Sequence, residues 1–261
     1  MAVRFAVISD AHLGKDRITL EKRIGTFGSQ APKLLSGIVR EVNRENHDFL
    51  LSLGDAIRDD NSVVDIQNLK RFREHIERTK VPTYHVLGNH DVAHLTPLAA
   101  ARALGMKQPY YAFDMDGVRF ITIYGDSRLG VEKDNSKVPV DKKQLAWLAK
   151  QIRTAGKPII IFTHVPIDEP AENKGPYTFY WKAHPWRAVV ENRATIRKLF
   201  DKNVIAVFSG HYHQRKSSTL NGVKYFYAPS ITEYAKGKPS GEYLDVKVDG
   251  KKITVKRKKI V

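Results

Sequence analysis

Short apolar runs recur along the chain and alternate with segments of helical periodicity. Several runs are hydrophobic throughout, which is typical of strands that are covered on both faces of a sheet. They are VRFAVIS (3–9), DFLLSL (48–53), PTYHVL (82–87), VRFITIY (118–124), KPIIIFT (157–163) and NVIAVFS (203–209). Because strand-like and helix-like segments alternate, we expect βαβ units and a mainly parallel sheet.

Four segments place apolar residues along one helical stripe, and we expect each to form a helix. They span residues 32–46, 65–79, 141–153 and about 186–201. The third opens with Asp141 and Gln144 at the spacing of a capping box, in which two side chains bond each other's backbone N–H groups.

The last part of the chain has a different pattern. Three segments predict strands that add to the sheet in antiparallel orientation, and the last two are joined by a hairpin across Asp249-Gly250. These segments are GVKYFYAP, EYLDVKVDG and KKITVKRKKI. No internal repeat, low-complexity linker or change in composition divides the sequence, so we expect one α/β domain over residues 1–261.

The composition narrows the class of protein. The chain has 261 residues and a formal net charge of +16, so its surface should attract nucleotides, phosphorylated metabolites or nucleic acid, although a solvated basic surface is the commoner explanation. Cysteine is absent, which excludes disulfides, zinc–thiolate sites and thiol nucleophiles. The N-terminal apolar run is too short for a signal peptide or membrane span. We therefore expect a cytoplasmic protein with no membrane partner.

Polar side chains follow five of the apolar runs at the points where the runs end. In open α/β sheets, ligands bind at this carboxyl edge of the strands. Each short motif alone is also typical of an ordinary turn, but their joint occurrence in order points to a metal centre. The residues concerned are Asp10, His12, Asp55, Asn89, His90, Asp91, His164, His211 and His213.

Imidazole, carboxylate and amide oxygen suit borderline divalent cations such as manganese, iron, zinc, cobalt or nickel. Seven candidate ligands are too many for one ion, but they suffice for two ions if one carboxylate bridges them. These ligands are Asp10, His12, Asp55, Asn89, His164, His211 and His213.

The ordered set of motifs resembles the calcineurin-like metallophosphoesterases. The matching motifs are D-x-H (Asp10, His12), G-D (Gly54, Asp55), G-N-H-D (Gly88 to Asp91), an isolated strand-end His164 and G-H-x-H (Gly210 to His213). The resemblance implies a metallo-dependent phosphatase-like fold, a four-layer α/β/β/α sandwich of mixed sheets with two metal ions at the strand ends.

The resemblance also implies a role for each motif residue. One ion would take Asp10, His12, Asp55 and His213, and the other would take Asp55, Asn89, His164 and His211. His90 would face the substrate phosphoryl group. Two such ions can share a hydroxide for in-line attack, while His90 stabilises the oxyanion or protonates the leaving oxygen. For Asp91 two roles stay open, orienting His90 or capping a helix.

Departures from the pattern narrow the branch of the family. Arg58 stands where purple acid phosphatases carry a metal-binding tyrosine, and GDAIRD differs from the motif of protein serine/threonine phosphatases. The chain is more similar to cyclic-nucleotide and glycerophosphodiester phosphodiesterases, and to manganese-dependent ADP-ribose/CDP-alcohol pyrophosphatase-like enzymes.

Substrate contacts are expected from residues near the predicted mouth of the site. The candidates are Arg58, Asn89, His90, Arg128, Tyr180 and Trp181. The last two belong to the aromatic segment GPYTFYWKAHPW (175–186), which suits a base-stacking platform but is also typical of a lid or dimer contact held by ordinary aromatic packing.

We therefore expect a phosphodiesterase for a small organic or nucleotide diester. A nuclease, a broad phosphomonoesterase and a non-enzymatic scaffold that binds a partner are the alternatives, and a homo-oligomer is compatible with each. The basic segment KKITVKRKKIV would suit nucleic acid, but lysine on an edge strand more often prevents aggregation.

Overall fold

The computed structural model of the protein describes residues 2–19, 24–126, 138–168 and 185–260. The strands are β1 (Val3–Ile8), β2 (Arg17–Thr19), β3 (Ile24–Thr26), β4 (Phe49–Ser52), β5 (Thr83–His85), β6 (Tyr111–Met115), β7 (Val118–Thr122), β8 (Ile159–Thr163), β9 (Val204–Ser209), β10 (Ser217–Leu220), β11 (Val223–Tyr227), β12 (Tyr234–Ala235), β13 (Lys238–Pro239), β14 (Glu242–Asp249) and β15 (Lys252–Lys259). The helices are α1 (Ala31–Arg44), α2 (Ser62–Ile76), α3 (Pro97–Ala103), α4 (Lys142–Arg153), α5 (Pro185–Ala188) and α6 (Arg193–Lys198), with a short 3₁₀ turn at Gly28–Gln30.

Two large sheets carry the fold, where the sequence pattern suggested one. The first has the order β15-β14-β1-β4-β5, and the second has the order β10-β11-β9-β8-β7-β6. The six predicted apolar runs divide equally between them, and within each sheet those three strands are neighbours that run parallel. Their carboxyl ends therefore lie along one edge of each sheet.

The C-terminal strands follow the sequence prediction in part. β14 and β15 pair antiparallel, and Asp249 lies opposite Lys252, so Gly250 and Lys251 form the two-residue turn of the predicted hairpin. β11, however, runs parallel to β9, which corrects the prediction of an antiparallel addition. The reason is the intervening strand β10, which pairs antiparallel with β11 and returns the chain in the direction of β9.

Three hydrophobic cores separate four layers. The first core lies between the first sheet and helices α1, α2 and α3, where Leu35 and Phe72 are fully buried. The second lies between the two sheets and contains Phe5, Phe120 and Phe208. The third lies between the second sheet and helices α4 and α6. This order of layers confirms the expected α/β/β/α sandwich.

The predicted third helix forms, but its capping box is incomplete. The Asp141 side chain accepts a hydrogen bond from the Gln144 backbone N–H at 2.8 Å, as expected of an N-cap. The Gln144 side chain does not return to the cap. It is buried and bonds both the N–H and the carbonyl of Tyr124, each at 2.8 Å, so it ties α4 to the end of β7 instead.

The predicted fourth helix is interrupted, and α5 and α6 stand in its place. Between them the backbone N–H groups of Val190 and Glu191 donate to the carbonyls of Pro166 and Val138. The Asn192 side chain bonds the Val140 backbone at 3.0 and 2.7 Å. These tertiary hydrogen bonds replace the bonds of a continuous helix. Among the described helices, none is long and apolar enough to cross a membrane.

Candidate metal centre and active site

The ends of five parallel strands meet where the two sheets face each other. The backbone N–H of Asp10 donates to the Gly54 carbonyl at 3.0 Å, which joins the loops that follow β1 and β4. His164, after β8, donates from Nδ1 to the Leu53 carbonyl at 2.8 Å and so links the second sheet to the first. Predicted site residues from both sheets are thereby brought into one centre.

Asp10, His12 and His213 form the first cluster of potential ligands. His213 Nε2 lies 3.1 Å from Asp10 Oδ1 and 3.2 Å from His12 Nε2. Their ligand atoms lie within 4.8 Å of one another, Asp10 and His12 are buried, and the His213 side chain is only 10% exposed. Such a group of one carboxylate and two imidazoles is suited to a divalent cation.

Asp55, His164 and His211 form the second cluster, and Asn89 adjoins it. His164 Nε2 lies 3.2 Å from Asp55 Oδ2, 3.2 Å from Asn89 Oδ1 and 3.3 Å from His211 Nδ1. Asp55 also groups with His12 and His90 within 4.8 Å. Asp55 therefore lies between the two clusters, in the position that a shared carboxylate requires.

The tautomers of the histidines fit metal coordination. His164 donates from Nδ1 to Leu53, and His211 donates from Nε2 to the Arg187 carbonyl at 2.9 Å. When both rings are neutral, each therefore directs a lone pair into the same 3.3 Å space. Two facing lone pairs repel unless a proton or a cation lies between them, so this arrangement suits a bound metal ion.

Electrostatics divides the histidines into two kinds. Burial lowers the pKa of His12 to about 3 and that of His211 to about 4, with the positive charge of neighbouring histidines adding to both shifts. Burial also opposes the charge on His164, but Asp55 outweighs it and raises the pKa of His164 to about 9. His12 and His211 are therefore neutral imidazoles, whereas in the metal-free protein a proton on His164 occupies space where a cation would bind.

Five of the seven predicted ligands have a left-handed backbone conformation. The φ angles are 52° at Asp10, 44° at His12, 48° at Asp55, 67° at His211 and 53° at His213. Aspartate and histidine tolerate this conformation better than most residues, yet it costs each of them about 1–3 kcal/mol. Such a concentration of strained residues at one place is typical of a functional site.

Glycines permit the close approach of the loops at two points. A Cβ atom on Gly88 would lie 2.2 Å from both the backbone N and the Oδ1 atom of Asp55. A Cβ atom on Gly210 would lie 2.1 Å from the Ser9 hydroxyl oxygen. Any larger residue at either position would push ligand-bearing loops apart.

His90 lies beside the metal centre with its ring partly exposed, and its nearest carboxylate is one that the sequence analysis missed. The Nδ1 atom of the ring is hydrogen-bonded to Asp59, and its Nε2 atom is 3.9 Å from Asp55 Oδ2. Burial disfavours the charged ring, but Asp55 and Asp59 outweigh this effect and raise the pKa of His90. Asp59 follows Asp55 by four residues. The adjacent acidic residues Asp59 and Asp60 after GDAIR were therefore the sequence feature that could have indicated a carboxylate near the site.

Asp91 has neither of the two roles that the sequence left open. Its Oδ1 atom accepts hydrogen bonds from the backbone N–H groups of Ala56 and Ile57 at 2.9 and 3.3 Å, and Oδ2 accepts from Gly88 at 2.8 Å. Residues 90–95 form turns, and the next helix begins at Pro97. The assignment of Asp91 as a catalytic orienter is corrected because its carboxylate clamps the two loops that carry Asp55 and Asn89.

Glu233 is a second partner that local sequence motifs did not reveal. Its buried Oε2 atom accepts a hydrogen bond from His213 Nδ1 at 2.5 Å. The bond leaves His213 Nε2 facing Asp10 and His12, and together the carboxylates of Asp10 and Glu233 overcome burial and raise the pKa of His213. Glu233 follows His213 by 20 residues with two strands between them, so no spacing in the sequence indicated this contact.

The predicted substrate contacts divide into two groups. Asn89 and His90 lie at the centre, and Arg58 lies half-buried between Ile57 and Asp59 on the wall of a neighbouring cavity. Arg128, Tyr180 and Trp181, with most of the aromatic segment 175–186, lie outside the described residues.

Comparisons with known proteins agree with the geometry. A profile of the calcineurin-like phosphoesterase family matches residues 3–215. A probable cyclic nucleotide phosphodiesterase from Fibrobacter succinogenes is 26% identical over 87% of this chain and 79% of its own length. The human serine/threonine-protein phosphatase CPPED1 is 29% identical over 60% of this chain, but the match spans only 49% of that protein.

Solved structures show the same fold. A dimetal phosphatase from Danio rerio superposes with a TM-score of 0.80 over 99% of this chain and 96% of its own, at 17% identity. A purple acid phosphatase from yellow lupin superposes with a TM-score of 0.63 at 13% identity, over 99% of this chain and 52% of its own. With the family match over most of its length and the ligand clusters at the strand ends, the chain belongs to the calcineurin-like phosphoesterases, a family of metal-dependent phosphoric ester hydrolases.

Proposed function

We propose that the chain hydrolyses small organic or nucleotide phosphodiesters with two divalent metal ions. The observation that carries this proposal is the position of Asp55 between two clusters of ligands, with the partly exposed His90 beside it. The relative from Fibrobacter succinogenes, named as a probable cyclic nucleotide phosphodiesterase, supports a diester as the substrate.

The residues of the chain divide the work of the reaction. One ion would be held by Asp10, His12, Asp55 and His213, and the other by Asp55, Asn89, His164 and His211. When bound, two such ions supply an activated water near neutral pH and neutralise charge on the phosphoryl oxygens.

His90 acts on the opposite side of the reaction, at the leaving group. Its Nδ1 atom is bonded to Asp59, so Nε2 is the atom that can donate a proton to the leaving oxygen. Because Asp55 and Asp59 raise the pKa of His90, the ring keeps that proton to higher pH than an ordinary histidine. Asp59 also holds the ring in one orientation.

The charge of the site favours diesters over monoesters. The proposed ligands include only two carboxylates, those of Asp10 and Asp55, and Glu233 adds a third negative charge behind His213. Two dications therefore leave little net positive charge, which suits a singly charged diester better than a doubly charged monoester. The human relative, named as a protein phosphatase, makes monoester hydrolysis the second candidate.

The test is hydrolysis of bis-p-nitrophenyl phosphate and p-nitrophenyl phosphate by protein that has been stripped with a chelator and reloaded with manganese, iron, cobalt, nickel or zinc. We expect two ions per chain by elemental analysis and faster turnover of the diester. His90→Ala should lower kcat by roughly 100-fold or more while both ions stay bound.

His94→Ala is the matched control, because His94 is a partly exposed histidine of the same segment whose ring is bonded to Asp65 at 2.8 Å. It should keep its activity. A metal-loaded protein that cleaves no diester, or an H90A variant as active as the unmodified protein, would refute the proposal.

A further inference from the structure

A cavity of about 530 Å³ lies next to the metal centre but contains none of the proposed ligands. Its walls are the loop after β1, the start of β2, the 3₁₀ turn, the loop after β4 and one side of α2. Its volume is in the range of cavities that bind small molecules. The mechanism proposed above leaves this space without a function.

The cavity continues directly from the catalytic loops. Leu13, which follows His12, lies on its wall, and so do Arg58 and Asp59, which follow Asp55. Backbone bonds from Leu13 N to the Ala56 carbonyl at 3.0 Å and from Arg58 N to the Leu13 carbonyl at 3.1 Å join the two loops. The wall nearest the metal centre is therefore fixed by backbone bonds that continue those of Asp10 and His12 to the Gly54 and Asp55 carbonyls.

Asp59 joins the cavity to His90. It lines the cavity and is bonded to His90, the residue proposed to protonate the leaving oxygen. A leaving group that takes a proton from His90 would therefore lie close to this space, because Asp59 connects the ring with the cavity wall.

The walls of the cavity favour an anion. Lys15, Arg17, Arg58 and Arg71 all line it. Three acidic residues, Asp16, Asp59 and Asp60, line it as well, so the cations exceed the carboxylates by one charge. Asp59 is bonded to His90, and Asp16 accepts a hydrogen bond from the Ser29 backbone N–H at 2.9 Å, so both face partners of their own. Guanidinium groups match the oxygens of a phosphate with paired, charge-assisted hydrogen bonds.

Apolar side chains stand among these cations. Leu13, Pro32 and Val64 line the same cavity and provide contact for the carbon skeleton that joins two phosphate groups. A site with a few polar groups on a partly apolar wall is typical of small-molecule recognition.

We propose that this cavity binds a second phosphate group, carried on the leaving alcohol of the substrate. The preferred substrate class would then be a phosphodiester whose leaving group is itself a phosphate monoester, such as a phosphorylated nucleoside. The proposal rests on the proposed diesterase function for the direction of the leaving group, but binding in the cavity can be measured without catalysis.

The kinetic test compares thymidylyl-thymidine with the same dinucleotide carrying a 5′- or a 3′-terminal phosphate. The metal-loaded protein should have a kcat/KM at least about 10-fold higher for one of the phosphorylated forms, the size of effect expected when a charged hydrogen-bond partner is gained. In the double variant Arg17→Ala, Arg71→Ala, the ratio of kcat/KM for the phosphorylated dinucleotide to kcat/KM for thymidylyl-thymidine should fall close to one. Both side chains are exposed, so their removal leaves the cores intact.

The control is the double variant Lys252→Ala, Lys256→Ala. It removes the same charge from two exposed positions of β15, which does not line the cavity, and it should keep the ratio of the unmodified protein. Equal kcat/KM for all three dinucleotides, or an equal loss of the ratio in both double variants, would overturn the proposal.

The binding test uses thymidine 3′,5′-bisphosphate and metal-free protein in the presence of a chelator, followed by calorimetry. We expect the bisphosphate to bind, and the double variant Arg17→Ala, Arg71→Ala should weaken its affinity by about 10-fold or more. The β15 double variant should leave the affinity unchanged. If the protein hydrolyses no diester but this pattern holds, the diesterase function fails and the anion site stands. If binding is absent, or is unaffected by both changes, the anion site fails whatever the activity.

Discussion

Replacement of Glu233 tests whether the residues behind the ligands set metal affinity. Its carboxylate accepts the Nδ1–H of His213 at 2.5 Å and is buried, so it fixes the tautomer that presents Nε2 to the first cluster. Glu233→Gln keeps an oxygen acceptor but removes the charge, whereas Glu233→Ala removes both.

Metal affinity should therefore fall less in Glu233→Gln than in Glu233→Ala. A hydrogen bond to a charged group contributes about 1.5–3 kcal/mol and a neutral one about 0.5–1.5 kcal/mol, so glutamine should lose about 1 kcal/mol, or roughly 5-fold in affinity. Alanine should lose about 2–3 kcal/mol, consistent with the roughly 10–100-fold losses seen when partners of metal-bound histidines are removed. The loss should fall on the ion held by Asp10, His12 and His213.

Affinity can be measured by competition with a coloured chelator, which resolves two binding steps for cobalt or zinc. The measurement belongs at pH 9, because Glu233 also raises the pKa of His213 and proton competition at lower pH would partly hide the loss. Glu242→Gln is the matched control, since Glu242 pairs with Arg215 at the surface. Unchanged affinity in Glu233→Ala, or an equal loss at both sites, would refute the role of this carboxylate.

Three further predictions concern Asp59, Asp91 and Asp245. Asp59→Asn should lower kcat by roughly 10-fold or more and leave Tm unchanged. It should also move the alkaline decline of kcat, which reports the pKa of His90, to lower pH; an unmoved decline would contradict the role of Asp59. Asp91→Ala should lower Tm by about 5 °C or more, because three buried N–H groups lose their acceptor; an activity loss without a Tm change would return Asp91 to catalysis. Burial opposes the charge of Asp245, but Arg4 outweighs it and lowers its pKa to about 2 from an ordinary 3.8. The charged Asp245 therefore adds to the free energy of unfolding above pH 3.8, and this contribution is lost as pH falls through about 2. In Asp245→Asn the free energy of unfolding should fall less steeply between these two pH values. An equal slope in both proteins would show that the Arg4–Asp245 pair does not contribute.

The sequence predicted the strand-end ligands because each motif is local. Asp10 and His12, or His211 and His213, are fixed by the strand before them and the turn that follows, and an apolar run shows where that strand ends. The structure confirms that these side chains meet, and the sharing of the ligands between two ions stays a prediction.

The partners that tune the ligands could not be predicted, because their contacts depend on tertiary packing. Glu233 is separated from His213 by β10 and β11 and reaches it only through tertiary packing, and Gln144 bonds the Tyr124 backbone instead of the cap of its own helix. The break between α5 and α6 has the same cause, since Val190 and Glu191 find acceptors in distant loops. A hydrophobic stripe indicates that a helix is possible and does not report such competing hydrogen bonds.

The left-handed backbone of the proposed ligand residues links the metal centre to the stability of the fold. Backbone strain at Asp10, His12 and Asp55 lies at the seam between the two sheets, next to the rings of His164 and His211, whose nitrogens approach to 3.3 Å. A metal-free chain is locally frustrated at this seam, because strained residues and buried ionisable groups are concentrated where the sheets must join. The proposed cations would relieve that conflict, so we expect metal supply to govern how firmly the two halves of the sandwich are held together as well as whether the site can react.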